Sequence, residues 1–243
     1  GQNVAVRSFI GSSIYHSLQV KVERRFSRGI GFLAAYTWQK TIATGDLGYR
    51  DPLNNRDLDR GIETNSVPQR FTAAYTYELP FGVGRRWLTS GPLTYVLGGW
   101  GLNGITTIQS GNPLTPALSF NSCVCGAINR PNLVGDPALD RSERTLLRFF
   151  NPDAFSAPAL YTIGNAGRSL FYGPGLLNFD LAISKRFYGF GERRNLEFRS
   201  EMYNVTNTPR FSDPNTTIGA ANAGRITSAS GVRQVQLALK FYW

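Results

Sequence analysis

The chain is poor in the side chains that most chemistry needs. Its 243 residues include two cysteines, one histidine and one methionine. Structural zinc takes four ligands, and Cys123 and Cys125 supply two, with His16 far away in sequence. No metal site is expected. The Cys-x-Cys pair reads as a local disulfide of an oxidising compartment or as two free thiols in a loop. Also missing are Gly-x-Ser-x-Gly, His-Glu-x-x-His and any phosphate loop, so no catalytic or cofactor-binding residue is named and no enzyme is expected. His16 falls in a strand-like segment and reads as an ordinary residue of it. Nothing fixes the separation of any acidic pair, which leaves a glycosidase without support. No apolar run approaches the roughly eighteen residues of a transmembrane helix. Barrel strands give a far weaker signal, so a membrane-spanning β protein stays open. Acidic residues are outnumbered 16 to 26, giving a net charge of +10. That excess could serve an anionic partner. No nucleic-acid motif accompanies it, the basic residues lie near predicted turns, and no nucleic-acid partner is expected.

What the chain does contain is alternation. Hydrophobic residues make up 42% and aromatics 13%, too much apolar matter for a disordered chain. Gly and Pro are frequent, at 26 and 13, which suits strands joined by turns. In the last eleven residues, Val235, Leu237, Leu239, Phe241 and Trp243 alternate with Gln234, Gln236, Lys240 and Tyr242. A period of two places the first set on one face of a strand and the second on the other. Such a strand is about 33 Å long and, tilted, crosses the apolar band of an outer membrane.

Similar segments run through the chain. They are 15–26, 30–42, 70–79, 99–110, 176–187 and 194–205, with Ile105 breaking the pattern of the fourth. Val4, Val6 and Phe9 hint at the end of an earlier element. Ser27-Arg28-Gly29 and Tyr188-Gly-Phe-Gly-Glu192 read as tight turns. Residues 85–98 form a medium connection with a short helical or strand piece near 93–97. Three long polar connections remain, at 44–68, 111–175 and 206–232. In the first, Asp46, Asp51, Asp57, Asp59 and Glu63 mingle with Arg50, Arg56 and Arg60. The ordered calcium-loop spacing is missing, and the interleaving favours a solvated, ion-paired loop. The second is expected to be irregular apart from one helical turn near 141–149, and the third to hold a short strand near 225–228.

About seven strands, with short and long connections in strict alternation, give an all-β fold. It is an antiparallel up-and-down meander, a partial and open transmembrane β-barrel with long loops at one end and short turns at the other. Arg24, Arg25, Arg28, Arg85, Arg86, Lys185, Arg186, Arg193 and Arg194 then gather at the short-turn rim as solvated charge. Trp38, Trp100 and Trp243 fall near strand ends, where aromatic girdles lie.

Several pieces carry a resemblance, in order along nearly the whole chain. They are Tyr15-His-Ser-Leu-Gln-Val-Lys-Val-Glu-Arg-Arg-Phe, Tyr77-Glu-Leu-Pro-Phe-Gly, Arg130-Pro-Asn-Leu-Val-Gly-Asp-Pro and Gly164-Asn-Ala-Gly-Arg. Leu196-Glu-Phe-Arg-Ser-Glu-Met-Tyr-Asn-Val-Thr-Asn, Asp213-Pro-Asn-Thr-Thr-Ile-Gly and Gly224-Arg-Ile-Thr continue the series. Together they resemble the C-terminal barrel of TonB-dependent outer-membrane receptors, in the Oar-like subgroup whose members often carry a carboxypeptidase-regulatory-like domain. The resemblance implies a Gram-negative outer-membrane location and uptake of a solute. The implied partners are outer-membrane lipid, the rest of the barrel and its plug, and the TonB complex through an N-terminal part. The assembly machinery would read the C-terminal strand ending at Trp243.

The chain begins at Gly1 with no signal peptide in view. Residues 1–243 are therefore expected to form a single region, the C-terminal portion of such a barrel. Two other functions compete. A passive or structural outer-membrane barrel predicts closure of the first strand on the last. A soluble secreted β-sandwich binding polysaccharide through Trp and Tyr predicts two packed sheets.

Overall fold

A computed structural model of the chain describes residues 11–44, 56–124, 129–188 and 195–243. The alternating segments form long strands: β1 (Ser12–Ser27), β2 (Ile30–Thr44), β3 (Gln69–Glu78) and β4 (Trp100–Gln109). They continue as β5 (Leu176–Tyr188), β6 (Asn195–Tyr203) and β7 (Gln234–Tyr242). Each pairs antiparallel with its sequence neighbour, in the order β1 to β7. A short piece, Arg60–Ile62, adds to the far end of β2 and completes the eight-stranded sheet. β1 and β7 do not pair with each other, so the sheet is an open meander. The stretch 1–10, with Val4, Val6 and Phe9, lies outside the described residues.

Register turns the sequence pattern into two faces. Val20, Tyr36, Phe71, Ile108 and Leu177 stand opposite one another across five strands. Ile30, Tyr77, Leu102, Ile183, Ser200 and Leu237 form a parallel row nearer the short turns. The other face carries Lys21, Ala35, Thr72, Thr107 and Asn178, and further along Arg186, Glu197 and Lys240. A slip of one residue would exchange the faces, so the alternation fixes the pairing.

The first hairpin closes with two residues, since Ser27 pairs with Ile30. Arg28 and Gly29 both have positive φ, 54° and 84°, the type I′ geometry that matches strand twist. The Gly29 carbonyl also accepts the Glu78 amide at 2.7 Å. A Cβ at Gly29 would lie 2.9 Å from the Glu78 carbonyl oxygen, so the position needs glycine twice over.

Burial is inverted relative to a water-soluble protein. The apolar side chains of the sheet are, with one exception, exposed or half-buried, Leu237 being exposed by 65%. Among the described residues Ala43 is the one buried apolar residue of the long strands; the others lie in the connections. Leu114, Phe150, Ala154, Phe155, Ala166, Phe171 and Ile218 form the core. A sandwich would place its core between two sheets. Here the other sheets are two-stranded ladders inside the connections, which overturns the soluble sandwich.

Two local expectations are revised, and a third, which allowed helix or strand near 93–97, is decided. Residues 141–149 hold a turn, closed by the Glu143 amide on Asp140 at 3.0 Å, and the helical turn comes later, as 3₁₀ at Pro152–Ala154. Long-range contacts override the local preference: the Phe149 amide donates to Gly224, and Phe150 is buried in the core. The strand near 225–228 is the pair Ala229–Ser230, laddered to Arg210–Phe211. Residues 92–97, left between helix and strand, are a helix, α1 (Pro92–Leu97). The turn at 189–192 lies outside the described residues, as do Asp46, Arg50 and Asp51.

Candidate functional site: the polar groove and its loop cap

The polar face holds a groove of about 660 Å³. Side chains of six neighbouring strands line it, so the sheet curls toward this face. Small or short apolar residues, Leu33, Ala74, Ile105 and Ala182, leave the space. Ile105, which broke the alternation of its strand, is part of this apolar patch. Charged residues flank it. Asp180 accepts the Asn178 side-chain amide at 2.9 Å and the Asn204 backbone amide at 2.8 Å. Arg199 reaches Glu201 at 2.7 Å, and Glu201 accepts the Tyr203 hydroxyl at 3.1 Å. Toward the short turns Arg186 pairs with Glu197 at 3.0 Å, and Arg85 with Glu78 at 2.6 Å. Arg186 and Glu197 face each other across β5 and β6, and Arg199 and Glu201 stand two residues apart on β6, which keeps these long side chains along the wall.

The long connections build a cap at one end. Arg130 is buried, with 1% of its surface exposed, and its guanidinium donates to the Asp59 carboxylate at 2.5 Å and to the Ala166 carbonyl at 2.8 Å. Arg168, also buried, donates to the Asp59 carbonyl at 3.3 Å. The Ser169 hydroxyl donates to the Ile62 carbonyl at 2.5 Å. These bonds join the connection after β2 to the one after β4. The connection after β6 is tied in by a parallel ladder, Thr217 to Ala117 and Ile218 to Leu118. The Ile226 amide on Leu146 and the Phe149 amide on Gly224, both at 2.8 Å, add to it. Inside, Phe150 stacks on Phe171 at 4.4 Å and meets Phe155 edge-on at 6.3 Å. Three loops thus form one packed body.

This corrects the reading of the first loop as solvated. Asp59 is buried, and it pairs with Arg130, 71 residues away in sequence. Of the acidic cluster, Asp57, Asp59 and Glu63 lie among the described residues, where no group of three or more metal-ligating side chains occurs. Cys123 is disulfide-bonded, and Cys125, the one other cysteine, lies outside the described residues. Sequence reasoning named no site residue and missed Asp59, Arg130 and Arg168. The available signal was the position of the two arginines, each inside a loop piece that carried the resemblance.

The ends of the sheet follow from register. Asn195 pairs with Tyr242, so the chain's last residues lie at the end of the short connections, opposite the cap. An open, curled meander with a mostly apolar exterior, a groove on its polar face and all long loops at one end is the wall of an outer-membrane barrel. The model of the outer membrane beta barrel domain family matches residues 2–236. The chain belongs to that family. No curated protein matches it. As an outer membrane beta barrel domain, it resides in the outer membrane. Its short turns face the periplasm and its loop cap the outside. The exposed leucines and valines of the outward rows contact lipid. The arginines at the short-turn end lie at the periplasmic rim, with Arg193 and Arg194 outside the described residues. Lys185 departs from the expected solvated rim: it is 3% exposed and stands on the outward face, level with Trp100, Phe198 and Leu239.

Proposed function

We propose that this barrel wall belongs to a TonB-dependent receptor that takes up a solute across the outer membrane. The observation that carries the reading is the combination of a charged groove with an apolar patch at Leu33, Ala74 and Ile105 on the lumen side. A lumen filled only with water would leave that patch wet; a plug packed inside would cover it and pair with the flanking charges. The rigid loop cap supplies the outer mouth at which a solute is caught. The role is transport, not catalysis. The partners of the reading are membrane lipid, the remaining strands and plug, the TonB complex through the plug side, and the assembly machinery at the strand ending in Trp243.

Planar-bilayer conductance of the full-length protein tests it. A plugged receptor is silent until denaturant displaces the plug. Steady conductance without denaturant would overturn the reading in favour of a passive barrel. Cross-linking of the full-length protein to TonB in cells is the second expected result.

A further inference from the structure

The connection between β3 and β4 carries apolar surface that the sheet does not cover. In α1, Leu93, Tyr95, Val96 and Leu97 are all exposed, Tyr95 by 70%, and only Thr94 is buried. Val83 and Trp87, earlier in the same connection, are exposed too. A six-residue helix is about 9 Å long and is marginal in water by itself. Something must hold it. Its C-terminal carbonyls point at Lys185, whose ammonium donates to the Tyr95 oxygen at 2.8 Å, to the Val96 oxygen at 3.0 Å and to the Gly98 oxygen. The Trp100 indole donates to the Val96 oxygen at 2.9 Å. A cation at a helix C-terminus satisfies the orphan carbonyls and complements the helix dipole. The same ammonium sits 5.3 Å from the Trp100 ring and 5.5 Å from the Phe187 ring.

Lys185 belongs to the outward row, so α1 is fastened outside the wall, at the periplasmic end of the lipid-facing belt. Lys185, which holds it, is level with Phe198 and the exposed Leu239 on that face. Arg86 lies over the Trp87 ring at 5.3 Å, which places positive charge beside that exposed ring.

We propose that α1 is an interfacial anchor, fixed by Lys185 and inserted among the headgroups and upper acyl carbons of phospholipid in the periplasmic leaflet. Attachment to a residue of the lipid-facing row selects lipid over a protein partner. Buried Lys185 explains how a charge is kept on a membrane-facing wall: the helix supplies the carbonyls that water would otherwise supply. The inference rests on the outer-membrane location and is independent of the uptake reading.

The test uses the full-length protein in vesicles of phosphatidylethanolamine and phosphatidylglycerol, with Cys123→Ser and Cys125→Ser and a fluorophore on Val96→Cys. A second sample carries the label on Glu143→Cys, an exposed position in the loop cap. The expected result at 96 is blue-shifted emission, severalfold stronger quenching by nitroxide on the upper acyl chain, and protection from aqueous iodide. At 143 the pattern reverses. Adding Lys185→Ala is expected to remove the difference between the sites, and Lys185→Arg to keep most of it. Iodide quenching at 96 equal to that at 143 would place the helix in water and overturn the proposal. So would protection from both quenchers, which would mean a protein partner covers it. If Lys185→Ala prevents folding, the quenching pattern with Lys185 intact still decides.

Discussion

At the residue scale the protein spends its charges in two ways. On the lumen wall, Arg186 and Glu197 or Arg199 and Glu201 face each other partly wet, where an ion pair contributes little. In the cap, Arg130 and Asp59 are both removed from water, and their pairing, with the Ala166 carbonyl also accepting from Arg130, offsets the cost of burying them. Asp59→Ala therefore removes the carboxylate that the buried Arg130 guanidinium meets and is expected to cost about 3–5 kcal/mol of cap stability. Amide exchange measured at residues 58–62 and 166–169 should accelerate, while the strands keep their protection. Equal exchange in both proteins would mean the pair holds nothing together. Gly29→Ala is a smaller lesion of a different kind. It puts a Cβ in the left-handed region and against the Glu78 carbonyl, at a cost of about 1–2 kcal/mol, read as a lower urea midpoint in lipid vesicles.

At the scale of the element, a strand here must satisfy two solvents. Leu237 and Gln236 are neighbours on β7, yet one faces lipid and the other the lumen. Leu237→Arg is expected to destabilise the folded barrel by about 2–4 kcal/mol in lipid, and Gln236→Arg by far less. Equal effects in reversible unfolding would contradict the assignment of faces. The helix α1 obeys a third logic, since its seat depends on backbone touching backbone. A Cβ at Gly98 would come within 2.5 Å of the Thr94 carbonyl and 2.8 Å of the Gly82 Cα. Gly98→Ala is therefore expected to lift α1 off its seat and open Lys185 to water. Increased trypsin cleavage after Lys185, with β7 still protected, is the measurement that checks it.

At the scale of the whole molecule, the wall is stable only in company. β1 and β7 each present an unpaired edge, and the outward face is mostly apolar. Exposed edges of this length template association with other chains. Residues 1–243 prepared alone are expected to form large species in buffer, by light scattering, and to disperse in detergent. A monodisperse, detergent-free monomer would sink the barrel-wall reading. The cap behaves differently, because it carries its own aromatic core, and it should keep its near-ultraviolet signal in detergent that loosens the sheet.

The amino-acid sequence determined the meander. Period-two alternation names the strands and their faces without reference to anything distant, because side-chain direction in a strand is a local property. Turn chemistry at Arg28-Gly29 and the rhythm of long and short connections then set topology and orientation. The cap and the anchor were decided by tertiary structure alone. Asp59 meets Arg130 across 71 residues, and Phe150 meets Phe171 from another part of the same loop. Lys185, read locally as one more wet cation at a strand end, is buried by a helix from 87 to 90 residues earlier. Such contacts leave no periodic trace, because what selects them is burial after the chain has closed its loops, and irregular backbone has no fixed period by which a sequence could announce it.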